Sequence, residues 1–324
     1  MGLTSHSTGT KALDSGLVIQ RQNAEDKVIA LAGNPNVGKS TIFNSLTGMK
    51  QHTGNWPGKT VANAQGRYTC EGRTCILVDL PGTYSLMAHS AEEEIARNFL
   101  CFGKPDAIAV VCDASCLERN LNLVLQTMEI SSRVVVCVNL TDEAEKKGIR
   151  IQTELLSQKL GVPVVPTVAR NKKSLPALTH ALCRMTQRTE PSVYHVSYPE
   201  PVEKALSILI PVLQEKTGGQ PDSRWLALRL LDADDSLLGE MQHGLGDDFL
   251  EDKNMKDALK QASDLLLKSG IDTEAFRDLI TASLVAEAEK LCQDVVLMER
   301  PVYQFRDWKL DQFLTSRLFG YPAM

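Results

Sequence analysis

Eight consecutive residues, Gly33-Asn34-Pro35-Asn36-Val37-Gly38-Lys39-Ser40, fit the pattern G-x-x-x-x-G-K-[S/T], and they stand between a β-rich run, Val28–Ala32, and a helical stretch that opens at Thr41. Strand, glycine-rich turn and helix in that order let backbone N–H groups curl around phosphate oxygens at a helix N-terminus. Lys39 then reaches the β- and γ-phosphates and the Ser40 hydroxyl ligates magnesium. Every residue from Gly33 to Thr41 is therefore a candidate nucleotide contact. Farther along, Asp79-Leu80-Pro81-Gly82 closes the run Cys75–Val78. This puts a carboxylate where P-loop enzymes hold magnesium, here through water, and a Gly82 N–H where a γ-phosphate is sensed.

Asn139-Leu140-Thr141-Asp142 ends the run Val134–Val138. An Asp at this place accepts two hydrogen bonds, from the ring N–H and the exocyclic amine of guanine, and adenine offers the wrong pattern. The usual form is N-K-x-D. Leu140 in place of the lysine removes the stem and charge that cover the base, so weaker affinity with retained specificity is expected. A later strand end, Pro166-Thr167-Val168-Ala169, falls where a backbone N–H meets the guanine oxygen, and Ala169 is the candidate. Between the phosphate motif and Asp79 lies His52-Thr53-Gly54-Asn55-Trp56-Pro57-Gly58-Lys59-Thr60. A glycine-rich loop that ends on a threonine suits a switch that orders when Thr60 binds magnesium and the γ-phosphate, with Gly58 and Lys59 beside it at the nucleotide.

The catalytic candidates are Lys39, Thr60 and Gly82. Many GTPases orient the attacking water with a Gln directly after the D-x-x-G glycine, and that place is Thr83, followed by Tyr84. Arg97 and Arg119 are cis candidates for charge stabilisation, although an arginine on a helix usually lies on a solvated face. Hydrolysis resting on magnesium, Lys39 and backbone N–H groups predicts slow turnover, on the order of 10⁻⁴ to 10⁻² s⁻¹.

The elements that must position these residues alternate short strands with helices. Strands are expected at Val28–Ala32, through a hairpin over Tyr68–Leu80, and at Ala107–Asp113, Val134–Asn139 and Val162–Thr167. A capping box, Ser90-Ala91-Glu92-Glu93, marks a helix start. After Glu190 no strand-like run is read, only helices over Val202–Glu215, Ser223–Leu231, Met255–Lys268 and Thr273–Val296. The expected fold is α/β: a P-loop GTPase domain with a mostly parallel sheet, followed by a small all-helical domain. The divisions are a flexible arm over 1–26, the GTPase domain over 27–190, the helical domain over 191–298 and an aromatic tail over 299–324.

Composition narrows the class. With 35 basic against 40 acidic residues the net charge is −5, and no basic stripe marks a nucleic-acid footprint. The eight cysteines show no C-x-x-C pair and read as reduced thiols. No apolar run reaches the roughly 18 residues a bilayer span needs, and no signal peptide is read, so a cytosolic location is expected. Gly2 does not meet the myristoylation pattern, since His6 stands where Ser or Thr is required.

Taken together, GNPNVGKST, HTGNWPGKTV, DLPGTYSL and NLTDEA resemble ferrous iron transport protein B (FeoB), a bacterial membrane protein with a cytosolic GTPase head. The resemblance is strong over residues 1–190 and returns at Trp308-Lys-Leu-Asp-Gln-Phe-Leu-Thr-Ser-Arg-Leu-Phe-Gly-Tyr-Pro-Ala-Met324, which in the family leads into the first membrane span. It implies GTP, GDP and magnesium as ligands, with Ser40, Thr60 and Asp79 serving the metal. It further implies that Asn36, thereby a fourth catalytic candidate, and the carbonyls of Gly54 and Trp56 hold a potassium ion against the phosphates, and that the helical domain strengthens GDP binding. The implied partners are a membrane-embedded iron permease part, a small FeoA-type accessory protein and further copies of the chain, at the cytoplasmic face of the membrane. Because the chain stops before any span, transport by it alone is not expected. Two other readings stay open: a ribosome- or RNA-associated GTPase, and a nucleotide-loaded adaptor without meaningful hydrolysis.

Overall fold

The structure is a computed structural model that describes Ile19, residues 21–48, 51–56, 62–87, 90–188, 194–217, 222–232, Gly239 and 252–298. The expectations for Gly58, Lys59 and Thr60, for most of the N-terminal arm and for the tail from Tyr303 lie outside the described residues.

A seven-stranded sheet forms the centre, in the order β2 (Gln51–Asn55), β3 (Ala62–Cys70), β4 (Arg73–Asp79), β1 (Lys27–Gly33), β5 (Ala107–Asp113), β6 (Val134–Asn139) and β8 (Val164–Pro166). The pairs β1–β4, β1–β5, β5–β6 and β6–β8 are parallel, and β2–β3–β4 form an antiparallel edge. Glu71 and Gly72, with φ of 50° and 76°, make the two-residue turn between β3 and β4, the positive-φ pair that fits the twist of a hairpin. Strand β1 shows why the sheet is central: Val28, Ala30 and Ala32 enter one core while Ile29 and Leu31 enter the other, all essentially without exposure.

One face is covered by α1 (Lys39–Thr47) and α6 (Leu175–Met185), through Ile42, Phe43, Leu178 and Leu182. The other carries α2 (Ala91–Phe102), α3 (Leu117–Ile130) and, past the short α4 (Thr141–Lys146), α5 (Thr153–Leu160). The apolar core on this second face continues without a break into α7 (Glu200–Thr217), α8 (Ser223–Asp232), α9 (Lys253–Lys268) and α10 (Thr273–Val295). The helical part therefore shares a core with the sheet instead of hanging from a linker.

Four expectations need correction. Helix α10 ends at Val295, and Val296–Met298 form β9, which pairs antiparallel with β7 (Ile149–Ile151), so a strand does follow Glu190. Part of the switch read as loop, Gln51–Asn55, is the edge strand β2, hydrogen-bonded to β3. The end of the arm is a fixed turn: Asp26 is buried and its carboxylate accepts from the Gln22 and Asn23 N–H groups at 2.8 and 3.1 Å. Arg97 sits on no solvated face; it is wholly buried in α2, its Nε donating to Asn98 Oδ1 at 3.1 Å. Among the described residues no helix is long and apolar enough to cross a membrane.

Candidate nucleotide site

The C-terminal ends of β1, β4, β6 and β8 converge, and the motif residues sit there, where open α/β sheets bind ligands. Helix α1 starts at Gly38, whose φ is 86°, with no side-chain cap and no acidic residue in its first turn. Its first N–H groups are thus left for an anion. Gly38 is fixed by geometry as well as by φ: a Cβ there would stand 2.3 Å from Asn139 Nδ2. Asn36, just before it in the loop, is exposed and left-handed with φ 66°.

Lys39 lies across the site. Its Nζ is 2.7 Å from Asp79 Oδ1 and also donates to the Leu80 carbonyl. Burial pushes the Asp79 carboxyl above its ordinary range, and Lys39 partly opposes that rise. Ser40 and Asp79 are hard oxygen donors of the kind magnesium accepts. Gly82 packs against the phosphate loop so closely that a Cβ would stand 3.2 Å from Pro35 Cα.

Beyond Gly82 the chain is wired to the body of the domain. Thr83 is buried, its N–H donates to the Gly33 carbonyl at 3.3 Å, and its hydroxyl accepts from Ser85 N–H at 3.2 Å. The residue standing where a Gln would orient water is turned into a local structural link. Gln126 on α3 accepts the Leu86 N–H at 2.6 Å and the Ser85 hydroxyl at 3.2 Å. Arg229 on α8 donates to Met87 Sδ at 3.0 Å. Arg119 lies 4.1 Å over the Tyr84 ring, a cation–π contact. Nothing in the sequence marked Gln126 or Arg229, because each acts on a segment far away in the chain.

At the base end Asn139 is wholly buried and joins three segments. Its Nδ2 donates to the Val37 carbonyl at 2.9 Å, and its Oδ1 accepts the Thr167 hydroxyl at 3.2 Å and the Ala169 N–H at 3.0 Å. Leu140 opens α4 in a left-handed conformation, φ 61°. Thr141 donates to the Thr167 carbonyl at 3.2 Å. Asp142 Oδ1 is buried without a hydrogen-bond partner, the state of an acceptor aimed at an incoming donor. Ala169 departs from expectation: its N–H is committed to Asn139, so meeting a guanine oxygen requires that bond to be exchanged.

Trp56 is 2% exposed and packs edge-on against Phe99 of α2, ring centroids 5.6 Å apart. That anchors the end of β2 to the core. Gly54 is paired with Asn63 inside the β2–β3 ladder. Among the described residues no group of three or more His, Cys, Asp or Glu stands close enough to hold a metal ion.

Two family models match: "Ferrous iron transport protein B" over residues 27–182 and "FeoB cytosolic helical domain" over residues 198–297. The Fe(2+) transporter FeoB of Salmonella typhimurium is 40% identical over 210 residues, covering 64% of this chain and 27% of that protein. The chain thus spans about a quarter of the length of such relatives. Among solved structures, the cytosolic domain of the T. maritima FeoB iron transporter in apo form is 30% identical with a TM-score of 0.69, covering 84% of this chain and 99% of that one. The same T. maritima domain in a GDP form is 30% identical with a TM-score of 0.67, covering 84% and 98%. With both domains matched in order and the structural relatives covered almost end to end, the chain belongs to the FeoB family and carries that family's N-terminal and cytosolic helical domains.

Proposed function

We propose that this chain binds GDP and GTP with magnesium and hydrolyses GTP slowly, with potassium stimulation, as the regulatory head of a ferrous iron transporter at the cytoplasmic face of the membrane. The observation that carries the reading is the pairing across β1 and β6 of an uncapped helix start with a buried, unpartnered carboxylate oxygen on Asp142, linked through Asn139. One end accepts phosphate and the other accepts guanine donors. The GDP form of the T. maritima relative supports the ligand class.

Lys39 exchanges Asp79 for phosphate oxygens on binding, and Asp79, released from the ion pair, joins Ser40 and Thr60 as the magnesium side of the site. Magnesium, when held there, neutralises charge on the phosphates. Gly82 N–H faces the γ-phosphate, and Thr83, committed to its own turn, leaves the attacking water without a Gln-type guide. The exposed Asn36 amide oxygen, with the carbonyls of Gly54 and Trp56, forms the potassium side, and the cation supplies positive charge where other enzymes insert an arginine. The membrane permease part lies in the length of the relatives that this chain does not span. Residues 303–324, rich in aromatics and basic residues, serve as the connector to it.

Single-turnover hydrolysis in potassium and in sodium tests the proposal. Faster turnover in potassium, lost in Asn36→Ala, is expected. Equal rates in both salts sink the potassium part, and no turnover in either makes the chain a nucleotide-loaded adaptor.

A further inference from the structure

Two hydroxyl residues in the last turn of helix α1, Ser45 and Thr47, behave differently. Thr47 does what a helical Thr ordinarily does and bonds the carbonyl one turn back, Phe43 O, at 2.9 Å. Ser45 instead reaches out of its helix and donates to the Ala169 carbonyl at 3.2 Å. Ala169 belongs to the loop after β8, is 4% exposed, and so has both backbone groups held by side chains, its N–H by Asn139 and its C=O by Ser45. The preceding residue, Val168, has both of its groups held by the Ser174 hydroxyl, at 3.1 and 3.0 Å. Arg170 pairs with Glu143 of α4 at 2.6 Å.

These bonds do not have equal roles in nucleotide binding. For the Ala169 N–H to meet a guanine oxygen it must leave Asn139, which requires the 168–169 peptide to turn. That turn also moves the Val168 carbonyl, so its bond from Ser174 is exchanged with it, whereas the Ala169 carbonyl belongs to the next peptide and need not leave Ser45. Ser45 is also on the helix whose N-terminus receives the phosphates, six residues beyond Lys39, or about 9 Å along the axis. One neutral hydroxyl therefore joins the phosphate-binding helix to the base-contacting loop.

We propose that Ser45 is a positioning residue for nucleotide retention: its hydroxyl holds the 167–171 loop so that the Ala169 N–H stays on the base. This rests on the proposed reading that Asp142 and Ala169 contact guanine. A freed loop is more mobile, and a loop held by fewer bonds lengthens neither the search for the site nor its electrostatics. The effect falls on dissociation.

The test uses the full chain as wild type, Ser45→Ala and Ser45→Thr, with release of a fluorescent GDP followed by stopped flow. A single neutral hydrogen bond predicts release roughly three- to tenfold faster in Ser45→Ala, association within about twofold, and wild-type behaviour in Ser45→Thr, which keeps the hydroxyl. Competition with the diphosphate of 2-aminopurine riboside supplies the second readout. That base lacks the ring carbonyl oxygen, so its affinity should be unchanged in Ser45→Ala. Equal weakening of both nucleotides would place the effect on the phosphate side or on folding and overturn the assignment, as would release within twofold of wild type. Wild-type preference for GDP over ADP is measured alongside. If that preference is present and Ser45→Ala has no effect, only the Ser45 role fails; if it is absent, the guanine reading fails and takes the Ser45 role with it.

Discussion

Helix α1 and the helices α9 and α10 of the C-terminal part begin in opposite ways. At α9 the Asp252 carboxylate accepts the Met255 N–H at 3.0 Å, and at α10 Asp272 accepts the Ala275 N–H at 2.9 Å. Helix α2, inside the first domain, is capped the same way by Ser90, which accepts the Glu93 N–H at 3.2 Å. Helix α1 starts on a left-handed glycine with no such partner. A cap contributes about 1 kcal/mol, and the chain forgoes it at the one of these four starts that faces the candidate phosphate site. Buried charge divides similarly. Asp232, 4% exposed, is held by Arg229 at 3.0 Å and by Arg277. Asp142 Oδ1, also buried, has nothing. The helical part ties its buried carboxylate Asp232 internally, whereas Asp142 leaves an acceptor open at the candidate base site.

The largest test of that division is Asp142→Asn. If the Asp142 carboxylate pairs two guanine donors as proposed, its loss weakens GDP by on the order of 100-fold or more while leaving the melting temperature of the ligand-free protein unchanged, since no internal bond is lost. Calorimetry with GDP and with xanthosine diphosphate reads it, the latter gaining affinity. A protein that melts much lower while keeping GDP would mean Asp142 is a structural residue and the contrast is false.

Arg229→Met should do the converse. It strips the buried Asp232 carboxylate of one partner and leaves it the other, the Arg277 Nε–H. The cost is then below the roughly 3–5 kcal/mol of a fully broken buried pair, about 2 kcal/mol, read by urea unfolding. GDP affinity should change by less than about threefold. A larger loss would show that the contact from Arg229 to Met87 carries nucleotide binding into the helical part.

Glu129, at the end of α3, tests the paired side by pH. It is buried against Tyr198, whose hydroxyl donates to it, with Arg229, Arg224 and Asp222 facing it, and burial raises its carboxyl to about 7 from 4.5. The folded protein binds this proton more tightly than the unfolded chain does. Its stabilising contribution is therefore complete below about pH 4.5 and is lost as pH rises through about 7. In Glu129→Gln the fall in unfolding midpoint between about pH 5 and 8 should flatten, measured against wild type in the same buffers. An unchanged slope would show that other groups set it.

Much of the candidate site is legible in the sequence because the motifs that propose it depend on local spacing. Gly33 to Ser40, Asp79-Leu-Pro-Gly82 and Asn139-Leu-Thr-Asp142 each lie on a few consecutive residues at a strand end, and strands β1, β5 and β6 read as unbroken apolar runs. What stayed hidden depends on partners distant in sequence. Strand β9 is three residues long and exists through pairing with β7, more than a hundred residues earlier. Arg97 looks like any helical arginine until α2 is packed. The Ala169 N–H was assigned from its position in the strand-end pattern, but which acceptor holds it depends on Asn139, thirty residues away. Ser45 and Gln126 carry no pattern at all, since a serine or glutamine on a helix is ordinary until its acceptor or donor is known.

The smallest effect is expected from Asp272→Ala, and it tests the premise that the caps are structural. Helix α10 runs for 23 residues from that cap, packs on α3 and α5, and passes directly into β9. Removing the side chain orphans one N–H at an exposed helix end, where water replaces the lost acceptor, and Glu274 remains in the first turn to complement the helix dipole. The cost should be about 1 kcal/mol, read as a small drop in urea midpoint, with GDP release unchanged. The cap lies at the far end of α10 from the β7–β9 pair, whose strand β7 follows helix α4 and the candidate base residue Asp142. Fraying of its first turn therefore leaves that pair in place. If GDP release instead quickened severalfold, the start of α10 would be coupled to the base site through the length of the helix. The capped α10 and the uncapped α1 would then be parts of a single nucleotide-responsive unit.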